Sequence, residues 1–185
     1  MTPFKIYLKE IARANGLSGD VEWLFYPGML QDSPAKWWDD WKFRHAIHEG
    51  IDICFFRTRT PPRAVQILGP GAAVPALSDG ILRNICPDFL GHSLIVEPSG
   101  FDHLPQRVIW VFSHQTPAPE MEIGCPVKSG QIISRIFDTR TKGSKLLSHL
   151  HISCMEVDRN VPFCDMNWSL FPRRNALNLI NPISL

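Results

Sequence analysis

Ser148-His149-Leu150-His151-Ile152-Ser153 is the stretch from which the fold of this chain is read. Side chains of an extended strand alternate between faces, so His149 and His151 stand together on one face while Leu150 and Ile152 occupy the other. Imidazole is the commonest metal-binding side chain, but a His-x-His pair needs a further protein ligand to hold a catalytic zinc. Well upstream, His48-Glu49-Gly50-Ile51-Asp52 brings another imidazole and a carboxylate. Two His and one Asp from these stretches leave a coordination position for water, the arrangement of a catalytic rather than a structural zinc.

Outward from these segments, three motifs fall in order: His48-x-x-x-Asp52 within HEGIDI, Phe112-Ser113-His114 within IWVFSH, and His149-Leu150-His151. Between them lie Gly71 to Leu82 (GAAVPALSDGIL) and Val127 to Ile133 (VKSGQII), and Ile180-Asn181-Pro182 follows near the end. In this order the segments resemble the signatures of the lysostaphin-type (LytM-like) zinc metallopeptidases, over about Arg44 to Val157. The resemblance implies a mainly β fold, an antiparallel sandwich or barrel-like core (a duplicated hybrid motif) with the metal site in a surface groove. It also implies that His48, Asp52 and His151 bind zinc, that His114 and His149 are unligated catalytic imidazoles, and that the substrate is the peptide portion of peptidoglycan. The location it implies is the cell envelope or the exterior.

The sequence departs from the family pattern near these motifs. Phe112 stands where the family has Tyr, Leu147-Ser148 where it has Gly-Pro, and Ile152-Ser153 where it has Phe-Glu. These positions surround the ligands or pack beneath them, so the changes bear on substrate preference more than on metal binding. The run Phe55 to Pro70 is longer than the family's connection, and its Arg57, Arg59 and Arg63 are read as solvating a loop.

Composition narrows the class. At 185 residues and 44% hydrophobic content the chain can bury one sizeable core, so residues 44–185 are expected to form one domain, with residues 1–43 an extension packed on it. A net charge of +1 without long single-sign runs lacks the electrostatic footprint of a nucleic-acid binder. No apolar stretch reaches the roughly 20 residues that span a bilayer, and the N-terminus lacks the apolar region of a secretory signal, which suggests a cytoplasmic protein or a removed leader. Five cysteines, an odd number without C-x-x-C spacing, point to neither a disulfide framework nor a Cys-based zinc site. Cys54 and Cys154 lie near the proposed ligands but are read as small core residues.

Along the chain, Pro3 to Asn15 has helical spacing and closes at Gly16. Glu22 to Leu30 breaks at Pro27-Gly28 between short strands or loop segments. Trp37, Trp38 and Trp41 suggest a turn or more of amphipathic helix capping the sheet. From Arg44 the pattern becomes short β-like runs, namely Gly50 to Phe56, Gln66 to Leu68, Ala73 to Ala76, Gly80 to Ile85, Ser93 to Glu97, Arg107 to Ser113, Gly130 to Phe137 and Leu150 to Glu156. Sixteen prolines and twelve glycines across the chain exclude long helices there. Gly50 argues against a helical H-E-x-x-H motif, leaving Glu49 a loop or surface residue; His45 could sit beside the ligands, and His92 and His103 carry no motif.

Chemically, a three-ligand zinc lowers the pKa of a fourth-site water to about 7 and polarises a carbonyl, and two free imidazoles can take and return a proton. Three functions are compatible with this: a zinc endopeptidase, a non-catalytic LytM-like domain that binds the cell wall or activates another hydrolase, and a cytoplasmic hydrolase on the same scaffold. A degenerate domain would be expected to lose ligands, whereas all five positions are filled here.

Overall fold

Alternation of burial marks the strands most clearly at Gly80–Pro87, where Gly80, Leu82, Asn84 and Cys86 are buried and the residues between them partly exposed. The computed structural model of the chain describes residues 2–17, 20–59, 63–173 and 175–184. In order, its elements are α1 (Pro3–Ala14), β1 (Val21–Leu24), β2 (Ile51–Ile53), β3 (Phe55–Thr58), β4 (Gln66–Ile67), β5 (Ala73–Pro75), β6 (Gly80–Pro87), β7 (His92–Pro98), β8 (Arg107–Pro117), β9 (Pro126–Val127), β10 (Ile132–Ile136), β11 (Leu150–Val157) and β12 (Leu177–Ile180), with a few short 3-10 turns. Among the described residues no helix is long and apolar enough to cross a membrane.

The architecture is mainly antiparallel β, as expected. A nine-stranded sheet runs β12-β11-β8-β7-β6-β9, with β2 on β11 and β10 bridging β5 and β8; β1, β3 and β4 make a separate three-stranded sheet. Strand β8 is buried continuously from Val108 to Gln115, which requires cover on both faces. Its even positions Val108, Trp110 and Phe112 join a core with Phe4, Tyr7 and Ile11 of α1, Ile51 and Ile53 of β2, and Ile152 of β11. Its odd positions Ile109 and Val111 join a second core with Met155, Val157, Met166, Phe171 and Leu177, so the segment after β11 folds back over that face. His151 and Ser153 continue the odd face of β11 beyond this second core, and Asp52 continues it on β2.

Helix α1 forms where spacing predicted it. Thr2 caps its N-terminus, Pro3 occupies the first turn, and the chain leaves through Asn15 and a left-handed Gly16. Buried Phe4, Tyr7 and Ile11 share one face, and the Tyr7 hydroxyl donates to the Pro75 carbonyl at 3.0 Å.

Elsewhere the expectations need correction. Trp37 to Trp41 is not helical: Asp39 and Trp41 both have left-handed φ, and an Ala35–Phe43 bridge ties the segment into an irregular loop. The indole of Trp37 turns inward to donate to the buried Asp52 carboxylate, which periodicity cannot anticipate. β9 and β12 are too short or too weakly patterned to show a period in the sequence, and the pairing of β1 with β3 has no sequence signal. Strand β10 begins after the positive-φ turn at Gly130 rather than at it. Arg57 and Arg59 are in ion pairs with Glu22 and Asp20 on the small sheet. Thr60 to Pro62 of that connection lie outside the described residues.

Candidate metal centre

The register of three strands assembles the centre. Asp52 of β2 lies opposite His151 of β11, and His151 opposite Ser113 of β8, so one row carries a residue of each of the three motifs side by side. His48 precedes β2 and is tied down by its backbone, its N–H donating to Ser33 and its carbonyl accepting from Asp32. Between them, Gly50 passes so close to β11 that a Cβ there would collide with the Ile152 carbonyl, Ser153 Oγ and His151 Nε2. Glycine is therefore the residue that lets His48 and Asp52 approach His151.

His48 Nδ1 lies 3.0 Å from the Leu30 carbonyl, which can only accept; Nδ1 therefore carries the proton and Nε2 a lone pair. That Nε2 lies 3.1 Å from Asp52 Oδ1 and 3.0 Å from His151 Nδ1, and His151 Nδ1 lies 2.8 Å from the same Oδ1. The far nitrogen of His151 pairs with Ser153 Oγ at 2.8 Å. Asp52 Oδ2 accepts from the indole N–H of Trp37 at 2.6 Å and from Arg44 at 3.2 Å. His48, Asp52 and His151 are 1%, 2% and 3% exposed.

This donor set fits a zinc ion. Two nitrogens and one oxygen, each on a different side chain, lie within 4.8 Å of one another. Zn–N and Zn–O bonds of about 2.0–2.2 Å at tetrahedral angles place ligand atoms roughly 3.3 Å apart, close to the 2.8–3.1 Å separations here. His48 Nε2, His151 Nδ1 and Asp52 Oδ1 all turn toward one point, where a shared cation would be met by all three. Outer hydrogen bonds to Leu30, Ser153, Trp37 and Arg44 orient the ligand atoms, as carboxylates and carbonyls do around established metal sites.

The two remaining histidines face the same volume. His149 Nδ1–H donates to the Leu147 carbonyl at 2.8 Å, turning Nε2 to 3.4 Å from Asp52 Oδ1. His114 stands 4.9 Å from His149, ring centre to ring centre, and 5.8 Å from His151. It occupies a bulge: between the pairs His92–Gln115 and Leu94–Phe112, the single residue Ser93 faces both Ser113 and His114. Its φ of 65° is left-handed, a conformation that costs a non-glycine residue roughly 1–3 kcal/mol and that clusters at functional sites. Burial pushes the His114 imidazole down to about 4, with the Asp88 hydrogen bond opposing and the His149 and His151 charges reinforcing the shift. Burial also acts to raise Asp52, but His48, His149 and His151 together hold it well below the usual carboxylate range.

All five residues singled out from the sequence thus meet around one point. Trp37, Arg44, Asp88 and Trp168 belong to the same place; the sequence reads Trp37 only as packing on the sheet, and the other three lie outside the motifs. Glu49 lines the small cavity over the cluster, about 50 Å³, together with Trp38, Phe89, Leu146 and Trp168, rather than standing apart from it. His45, His92 and His103 are exposed. The thiol of Cys54 points at the Ser148 carbonyl and is pushed up to about 12, mainly by burial; Cys154 lies in the apolar core. Neither belongs to the donor cluster.

No protein-family profile and no curated protein matches the sequence. Solved structures do. The catalytic domain of the antimicrobial peptidase lysostaphin from Staphylococcus simulans superposes with a TM-score of 0.51 at 17% identity, over 86% of this chain and 90% of that one. The catalytic domain of the prophage-encoded M23 protein EnpA from Enterococcus faecalis, in a point-mutant form, gives 0.47 at 15% identity, over 86% and 93%. The solution structure of lysostaphin gives 0.43 at 21% identity, over 60% of this chain and 37% of that one, so the chain spans little more than a third of that protein. The fold is that of the lysostaphin-type peptidases, as the motif order predicted.

Proposed function

We propose that the chain is a zinc-dependent endopeptidase, with His48, Asp52 and His151 holding the metal and His114 and His149 moving protons, acting on peptide amide bonds of peptidoglycan in the cell envelope or outside it. The observation that carries this reading is the convergence of three oriented donor atoms with two further imidazoles whose Nδ1 atoms are engaged by the Leu147 carbonyl and Asp88. When bound, zinc supplies Lewis acidity, polarising a carbonyl and making a water nucleophilic near neutral pH.

The chain's own residues do the rest. Trp37 and Arg44 occupy Asp52 Oδ2 and so leave Oδ1 as the oxygen turned to the cluster. His149 and His114 face the same volume; a neutral imidazole accepts a proton from the attacking water at Nε2, and the imidazolium so formed delivers that proton to the departing amine nitrogen. Burial depresses the His114 imidazole and so keeps its Nε2 unprotonated, the form that accepts a proton. Trp38, Phe89 and Trp168 flank the opening and shield the reacting groups from bulk water.

The test incubates zinc-supplemented protein with purified peptidoglycan and with short cross-link peptides containing glycine or D-alanine, reading new amino groups with and without chelator. Chelator-sensitive release, lost in His149→Ala, is the expected result. Binding to peptidoglycan or stimulation of a separate hydrolase without any release of amino groups would replace the endopeptidase with a non-catalytic domain of the same fold.

A further inference from the structure

Asp88 lies in the tight turn between β6 and β7 and belongs to none of the motifs, yet its carboxylate is fully covered, with a side-chain exposure of 0%. Its oxygens accept from the backbone N–H of Leu90 at 2.9 Å and Gly91 at 2.7 Å, and from Ser93 Oγ at 2.9 Å. Those contacts alone would make it a turn residue. Two more go elsewhere: Oδ2 accepts the backbone N–H of His114 at 2.8 Å, and Oδ1 pairs with His114 Nδ1 at 3.2 Å. The turn is pressed onto β8, since a Cβ on Gly91 would meet the Gln115 carbonyl and the Phe137 ring.

We infer that Asp88 is the positioning residue of His114: one buried carboxylate grips both the main chain and the ring of a histidine on a bulge, fixing Nδ1 as the protonated nitrogen and presenting Nε2 to the metal centre. The inference rests on reading His114 as a proton-transfer imidazole. An ionised carboxylate can only accept, so the pairing leaves Nδ1 the donor. The main-chain contact holds the left-handed φ that aims the ring, and the ring contact sets the tautomer; neither follows from closing a turn. Ser93 extends the grip, since its Oγ also pairs with Ser113 and accepts from the indole N–H of Trp168, the ring that flanks the cavity.

Imidazole nitrogen spectra test this without a substrate. In zinc-loaded protein labelled with ¹⁵N-histidine, the His114 pattern, assigned by its absence in His114→Gln, should be that of the Nδ1–H tautomer. In Asp88→Asn it should move toward the Nε2–H form or a mixture, and in Asp88→Glu it should return, with zinc content equal in all. On a cleavable peptide, Asp88→Asn should lower kcat by roughly 10²–10⁴-fold, the scale of a misplaced base, with KM little changed and partial recovery in Asp88→Glu. A wild-type His114 in the Nε2–H form overturns the inference even if no variant folds, and so does an Asp88→Asn protein whose His114 pattern is unaltered. A wild-type protein that cuts no peptide removes the endopeptidase reading, while the tautomer comparison still decides the role of Asp88.

Discussion

A methyl group on Gly50 has nowhere to go: it would strike the Ile152 carbonyl, Ser153 Oγ and the His151 ring. Gly50→Ala is therefore expected to cost about 1–3 kcal/mol of stability, the usual range for overpacking, and to weaken zinc binding, because relief requires β2 to move off β11. Denaturant unfolding with parallel zinc titration measures both; an unchanged midpoint and affinity would mean that the close approach is not required. His114→Ala and His149→Ala should retain zinc while turnover falls roughly 10²–10⁴-fold, and Cys54→Ser should alter neither. A His114 or His149 variant that loses its metal would show that histidine to be a ligand. At this scale the sequence was informative about donors and silent about their supports. His48, Asp52, His149 and His151 stand out by residue type and spacing and His114 through the resemblance of its motif, whereas Trp37 and Asp88 make their decisive contacts with groups 15 and 26 positions away, across no periodic element.

Among the elements, the irregular segment 33–47 contributes more than packing. It delivers the Trp37 indole and the Arg44 guanidinium to the outer oxygen of Asp52, and Trp37 also meets His149 edge to face at 5.2 Å between ring centres. Trp37→Phe keeps most of the ring and removes the N–H, so zinc affinity should fall about 10–100-fold, the usual effect of losing a partner of a metal ligand. Competition against a chromophoric chelator reads this directly, and an unchanged affinity would reduce Trp37 to packing. Helix α1 is the contrast, since its Ile11 is fully buried in the apolar core and does not line the cavity over the donors. Ile11→Ala should cost about 2–5 kcal/mol yet leave zinc stoichiometry intact. Period-2 and helical patterns made the long strands and α1 legible because burial follows the pattern there. The tryptophan segment misled because its spacing suits a helix while Asp52 and two left-handed residues hold it otherwise.

For the molecule as a whole, the sheet carries apolar cores on both faces, and the centre sits where β2, β8 and β11 meet at the edge of one of them. Burying ionisable groups there makes stability depend on pH. In chelator-treated protein, His114 is pushed down to about 4 against an ordinary value of 6.5, so between these pH values the unfolded chain binds a proton that the folded chain does not. Stability should accordingly be full above about pH 6.5 and fall as pH drops toward 4, with the depressed Asp52 and Asp88 adding a further loss below 3.8. Urea unfolding across this range checks the sign, and His114→Gln should flatten the slope between pH 6.5 and 4. Most directly, zinc is counted per chain by elemental analysis after dialysis of zinc-supplemented protein, for the wild type and for Asp52→Ala. One equivalent in the wild type and loss of the metal in the variant is the result expected of a centre built on His48, Asp52 and His151; a wild-type protein that holds less than about a tenth of an equivalent, or a variant that keeps its zinc, would contradict it.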